Sequence, residues 1–242
     1  IKGALNRSES YAFLLNNDGT IAVFYSIRGD KKAGWSLWDT QGKWHSICSV
    51  HERLFVVASR DDGSGTTKLF LEEFQVDMPM DFCDTFTGSA SVFGSLGSHF
   101  SNGAVVKATS GNNFLGQFTI SGAQIDASET ITGASSAFIG YAFTPELKSL
   151  PVDAQVVGGP LTGEPRKVTR VTLDLVSTLS VSVNSTDLII RNVTDDMSTE
   201  RTAVTGKEEF RLLGYARDPR VTVSQSFPFD LQVNGMVMEV AF

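Results

Sequence analysis

The 242-residue sequence holds two cysteines, Cys48 and Cys83, and three histidines, His45, His51 and His99. None falls in a Cys-x-x-Cys or His-x-x-x-His frame, so the spacing used by dedicated metal sites is missing. Two cysteines in unlike contexts read as reduced, half-buried thiols. A disulfide would need their Cα atoms within ~7 Å, which sequence separation leaves open. No apolar run approaches the ~18 residues of a membrane-spanning helix, and no basic-then-apolar segment opens the chain. A Gly-x-Ser-x-Gly elbow, a phosphate-cradling Gly-x-x-x-x-Gly-Lys loop and a basic-aromatic stripe are also missing. The sequence therefore names no catalytic residue, no cofactor and no metal ligand. Positive charge is scarce too: 20 Lys and Arg stand against 27 Asp and Glu, a net charge of −7. That deficit argues against a tight grip on nucleic-acid phosphates, although an acidic wall suits DNA that must pass without sticking.

What the chain has in abundance is strand material: 17 Phe and many Val, Thr and Ser. In Lys167-Val-Thr-Arg-Val-Thr-Leu-Asp-Leu175, Val171, Leu173 and Leu175 alternate with Thr172 and Asp174, the period of a half-buried strand. The rhythm returns at Leu179, Val181 and Val183 against Ser180 and Ser182, and at Phe210 and Leu212 around Arg211. Residues 1–76 read as an antiparallel, propeller-blade-like meander. Turns are expected at Asn16-Asn-Asp-Gly19, Arg28–Gly34, Thr40-Gln-Gly42 and Asp61–Gly65. Trp35, Trp38 and Trp44 bracket one expected hairpin and suit cross-strand pairing better than a sugar- or base-stacking platform. Residues 77–150, rich in Gly and Ser, read as a small β-barrel or sandwich. Thr144–Leu150 offers one helical turn, with Thr144 as N-cap and Pro145 at the first helical position. Residues 151–242 read as an antiparallel β-sandwich entered through a Pro/Gly-rich connector at 151–165. The fold class expected is all-β, with little helix.

Several short matches have blander readings. Arg28-Gly-Asp30 spells an integrin tripeptide but is ordinary turn chemistry. Ser59-Arg-Asp-Asp-Gly63 starts like a sialidase Asp-box and lacks its later residues. The sequons at Asn6, Asn184 and Asn192 matter only on a secreted chain. Among Glu72, Glu73, Asp81 and Asp84, a glycosidase would need two carboxylates facing one bond, and the adjacent Glu72 and Glu73 point to opposite faces of a strand.

Longer stretches carry a resemblance. Gly19-Thr-Ile-Ala-Val-Phe-Tyr-Ser-Ile27, Gly34-Trp-Ser-Leu-Trp38, Trp44–Val50, Leu54–Arg60 and Lys68-Leu-Phe-Leu-Glu-Glu-Phe74 follow one another as in the tail nozzle proteins of short-tailed phages. Phe138-Ile-Gly-Tyr-Ala-Phe-Thr144 with Leu147-Lys-Ser-Leu-Pro-Val152 continues the order. So do Arg170-Val-Thr-Leu-Asp-Leu175, Arg217-Asp-Pro-Arg-Val-Thr-Val-Ser-Gln225 and Phe229–Val240. The chain thus resembles the C-terminal portion of that family, also called tail tubular protein B, and its start at Ile1 without Met suggests a piece of a longer subunit. The resemblance implies a non-enzymatic virion protein, made in the host cytoplasm. It would form a ring with copies of itself, a hexamer at full length, next to adaptor and fibre proteins, around a channel that phage DNA passes without specific binding. A receptor- or glycan-binding module at the tail tip, or a polysaccharide depolymerase, are the rival readings.

Overall fold

The structure is a computed structural model describing residues 2–6, 10–27, 32–61, 66–75, 77–129, 134–152, 155–156, 159–160, 165–190 and 200–241. The Arg28-Gly-Asp30 tripeptide, residues 62–65 of the Asp61–Gly65 turn and the Asp-box-like match, Asn192, and residues 153–154, 157–158 and 161–164 of the connector lie outside the described residues.

Four strands at the start form an antiparallel meander: β1 (Lys2–Asn6), β2 (Tyr11–Leu15), β3 (Ile21–Ile27) and β4 (Lys32–Trp38). The Asn16–Gly19 turn forms as its residues dictate. Gly19 sits at φ +92°, and the Asp18 carboxylate accepts the Thr20 backbone N–H at 3.0 Å. The expected hairpin from Trp38 to Trp44 does not form. β5 (Lys43–Val50), β6 (Arg53–Asp61) and β7 (Thr67–Phe74) make a separate three-stranded sheet, so Asp39–Gly42 is a corner between sheets. Gly42 permits it: φ is +117°, and a Cβ there would lie 2.0 Å from the Ser59 carbonyl oxygen. Phe13, Ile21 and Val23 of the first sheet and Trp44, Ile47, Leu54, Val56 and Ala58 of the second share one core.

The Gly/Ser-rich stretch follows as a nearly closed six-strand barrel. Its strands are β8 (Asp81–Ser89), β9 (Val92–Phe93), β10 (Val105–Ser110), β11 (Asn113–Thr119), β12 (Ile125–Asp126) and β13 (Ser136–Tyr141), in the order β11-β10-β13-β8-β9-β12. A 3₁₀ turn, Leu96–Ser98, tucks in Leu96 beside Phe93 and Phe100, so Phe, Leu and Ile side chains fill the barrel despite the Gly and Ser of its turns.

The remaining strands are β14 (Glu146–Lys148), β15 (Gln155–Val156), β16 (Gly159–Pro160), β17 (Lys167–Thr178), β18 (Ser182–Val183), β19 (Thr186–Asp187), β20 (Val204–Arg211), β21 (Thr222–Ser224) and β22 (Gln232–Ala241). β17 runs between β20 and β22. Its alternation holds: Val171, Leu173 and Leu175 are fully buried, each worth about 1.5–3 kcal/mol relative to exposure. They pack on Val181, Val183, Phe210, Leu212, Val221 and Val223.

Two expectations are corrected here. Thr144–Leu150 forms no helical turn, because Glu146–Lys148 is strand β14 and pairs with β21, Leu147 opposite Val223. A non-local ladder outweighs the local capping signal. Ser180 and Ser182 do not face water but are buried along with their apolar neighbours. The Ser180 backbone carbonyl accepts from Gln225 Nε2 at 3.0 Å, and the Ser182 hydroxyl donates to Asp187. A hydrogen bond, not exposure, satisfies the Ser182 hydroxyl.

By contacts the chain divides into two compact units, Ile1–Ser110 with Leu115–Ala142 and Gly111–Phe114 with Phe143–Phe242. Among the described residues there is no α-helix, and none long and apolar enough to cross a membrane, a statement that does not bear on spanning barrels.

Candidate functional site

The densest polar cluster is built on β6. Leu54, Val56, Ala58 and Arg60 share one face at period two, and Arg60 carries a charge into the end of that buried stripe, only 3% exposed. All five of its N–H donors are used. Nε and Nη2 reach the two carboxylate oxygens of Glu72 on β7, at 2.6 and 2.7 Å. Nη2 and Nη1 reach Asp81 at the start of β8, at 3.0 and 3.1 Å, and Nη1 also reaches the Gln41 carbonyl at 2.7 Å. Asp81 in turn accepts the Thr40 hydroxyl at 2.8 Å and the Gln41 N–H at 2.9 Å, so the sheet corner is fixed by the same carboxylate. The Phe82 ring lies 4.3 Å from the guanidinium carbon. Burial on its own would lower the Arg60 pKa; the hydrogen bonds it donates to Glu72 and Asp81 outweigh it, and the group is held well above its ordinary value. Chemically this is a clamp between the second sheet and the barrel.

Beside it lies a cleft of about 30 Å³, lined by Asp61, Lys68, Phe70, His99 and Phe100 among others, with room for about one water. On its rim the Ser98 hydroxyl sits 2.9 Å from His99 Nδ1, and His99 Nε2 lies 3.2 Å from Asp84. Serine, histidine and aspartate fall in the order of a hydrolytic relay. The Ser98 hydroxyl also lies 3.3 Å from the Ser95 carbonyl, however, so its proton has a backbone acceptor beside the imidazole. The three act as a hydrogen-bonded rim.

The carboxylates singled out in the sequence are thus distributed. Glu72 and Asp81 converge, but on Arg60; Glu73 bonds Arg53 on the other face; Asp84 meets His99. The Arg53 hydrogen bond holds the Glu73 carboxyl below its usual range. His45 and His51 are exposed, the latter at φ +55° in the β5–β6 turn. Cys48 and Cys83 are both free; Cys48 is exposed, whereas burial, helped by the Asp84 charge, pushes the Cys83 thiol up to about 12. Among the described residues no group of three or more His, Cys, Asp or Glu could hold a metal ion.

The tryptophans separate by face. Trp38 and Trp44 both contact Phe74 inside the core, with ring centroids 5.4 and 5.7 Å apart. Trp35 points the other way, 64% exposed, and packs across the ladder against Phe24, the rings tilted by 41° with centroids 4.7 Å apart. The register places Ala12, Phe24 and Trp35 in one cross-strand row and Leu14, Ala22 and Leu37 in the next. In those two rows the outer face of the first sheet carries apolar side chains alone, with Ser26 beside Ala33 in the row beyond, and Leu37 is 67% exposed. The meander expected over residues 1–76 assigned no wet or apolar face to these strands, so the apolarity of both faces across these rows went unread. The signal was present in Ile21-Ala-Val-Phe24, which has no polar position.

No protein-family model matches the chain, and no curated protein matches it.

Proposed function

We propose that the chain is a structural component of a phage tail, the C-terminal part of a nozzle that forms part of the channel for DNA ejection. It contacts copies of itself and neighbouring adaptor and fibre proteins, and it is not an enzyme. The observation that carries the reading is the placement of the resembling stretches. Most of them fall in order on strands of an all-β chain: residues 19–27 on β3, 34–38 on β4, 44–50 on β5, 54–60 on β6, 68–74 on β7, 138–144 on β13, 170–175 on β17 and 229–240 on β22, while 147–152 and 217–225 touch β14 and β21 only in part. Stiff antiparallel walls suit a tube, and an acidic chain of net charge −7 lets DNA slide past without adhering. Antibodies raised against this chain should label the tail of purified virions of the encoding phage, and the full-length subunit should form rings with a central channel under the electron microscope. Label on the capsid alone, or none, overturns the reading.

Exposed Trp35 packed against Phe24 is the observation that favours a second reading, a glycan-binding module. A glycan array showing binding lost on Trp35→Ala would favour it. The depolymerase reading is weakened by Arg60, which holds both converging carboxylates and leaves neither to protonate a glycosidic oxygen.

A further inference from the structure

We propose that β4 is a self-pairing edge: two copies of the chain join antiparallel along Lys32–Trp38, about a two-fold axis at Trp35, and fuse their first sheets. The proposal does not depend on the tail reading. β4 ends its sheet, bonded to β3 through an unbroken register from Ile21 opposite Trp38 to Ile27 opposite Lys32. It has no bulge, no proline and no charge from Ala33 to Trp38. Its outer N–H and C=O groups therefore form a flat, apolar template for another strand.

The other described edges outside the barrel are guarded. β7 carries Lys68, Glu72 and Glu73, and β20 has four charged residues between Lys207 and Arg211. β5 and β22 are broken by register shifts, β14 carries Glu146 and Lys148, and β1 packs beside β5. β15, β16 and β19 are two residues long. β4 alone of these lacks every device by which sheets avoid pairing.

The strand is complementary to itself. Trp35 is the centre of its seven residues, so an antiparallel pair sets Trp35 against Trp35 of the second copy, Ala33 against Leu37, and Gly34 against Ser36. Leu37 meets Ala33 on either side of the axis, so these bulky side chains face small ones. The Phe24–Trp35 pair then extends into a row of four aromatics across the joined sheet. The only charged position, Lys32, falls opposite Trp38, and the two copies of Lys32 stand at opposite ends, about 20 Å apart. Two chains of net charge −7 thus meet along a strand free of acidic residues. One strand edge with its flanking apolar row covers less than the roughly 1,200 Å² of a standard stable interface, so the dimer is reversible.

Sedimentation velocity on the 242-residue chain from about 1 μM to about 200 μM should show a monomer–dimer equilibrium. Trp35→Lys and Leu37→Lys should each weaken it about tenfold or more with an unchanged melting temperature, since both side chains are mostly exposed. In a Cys48→Ser background, Trp35→Cys should cross-link to a dimer under mild oxidation, whereas Leu69→Cys, equally exposed on β7, should not. A monomer throughout, a dimer indifferent to Trp35→Lys, or equal cross-linking at both positions overturns the proposal. A monomer would leave the edge to a strand of another protein. Tail labelling is read separately, so the two proposals fail independently.

Discussion

Arg60 and Arg170 have the same company and opposite surroundings. Each arginine sits on a strand between two acidic side chains. Arg60 meets Glu72 and Asp81 at 2.6 and 3.0 Å with 3% of its side chain exposed, whereas Arg170 on β17 meets Glu209 on β20 and Glu239 on β22 at 3.4 Å each with 43% exposed. Water screens the second trio and solvates whatever a mutation leaves behind; the first has no such reserve. An ion-pair count would rate them equal. Their burial says that one fixes the join of two substructures and the other decorates a sheet.

The largest effect expected is therefore from Arg60→Ala, which leaves two mostly buried carboxylates without their cation and should lower unfolding stability by about 3–5 kcal/mol in urea titration. A loss below about 1 kcal/mol would erase the contrast. Asp81→Asn keeps the shape but weakens the bonds to Arg60, Thr40 and Gln41, and should cost about 1–3 kcal/mol. Arg170→Ala should cost about 0–1 kcal/mol, and added salt should shrink even that. Burial also separates the cysteines. At pH 8 the exposed Cys48 should react with a thiol reagent at least about tenfold faster than Cys83, whose thiol stays protonated until about 12. Equal rates in the folded chain would show Cys83 to be open. The smallest effect belongs to exposed Arg53–Glu73. Because the folded Glu73 pKa is depressed, the pair's contribution is complete above the ordinary glutamate range and lost as pH falls through the lower folded value. Glu73→Gln should flatten that acid limb of the melting temperature slightly.

How far the residues announced this structure depends on how local the signal was. β17 was legible because Val171, Leu173 and Leu175 need only a period of two. The turn at Asn16–Gly19 was legible because one glycine decides it. The sheet switch after Trp38 was not, because it rests on the backbone of Ser59 closing over Gly42, a contact across the sequence. β14 was hidden for the same reason, since its partner β21 lies far along the chain. The Arg60 clamp could have been suspected: a charge continuing the buried stripe Leu54, Val56, Ala58 must find partners somewhere. Which acids supply them is a tertiary fact, as Asp81 stands 21 residues away.

β17 has one more consequence, a mechanical one. It is twelve residues long, and its ladders to β20 and β22 lie antiparallel along most of that length, with hydrogen bonds perpendicular to the strand. A force that pulls β17 one way along its axis and β20 or β22 the other therefore loads those bonds together in shear instead of unzipping them in turn. A pull along β17 meets the stiffest direction this sheet has, whereas a pull that peels β22 from one end meets the softest.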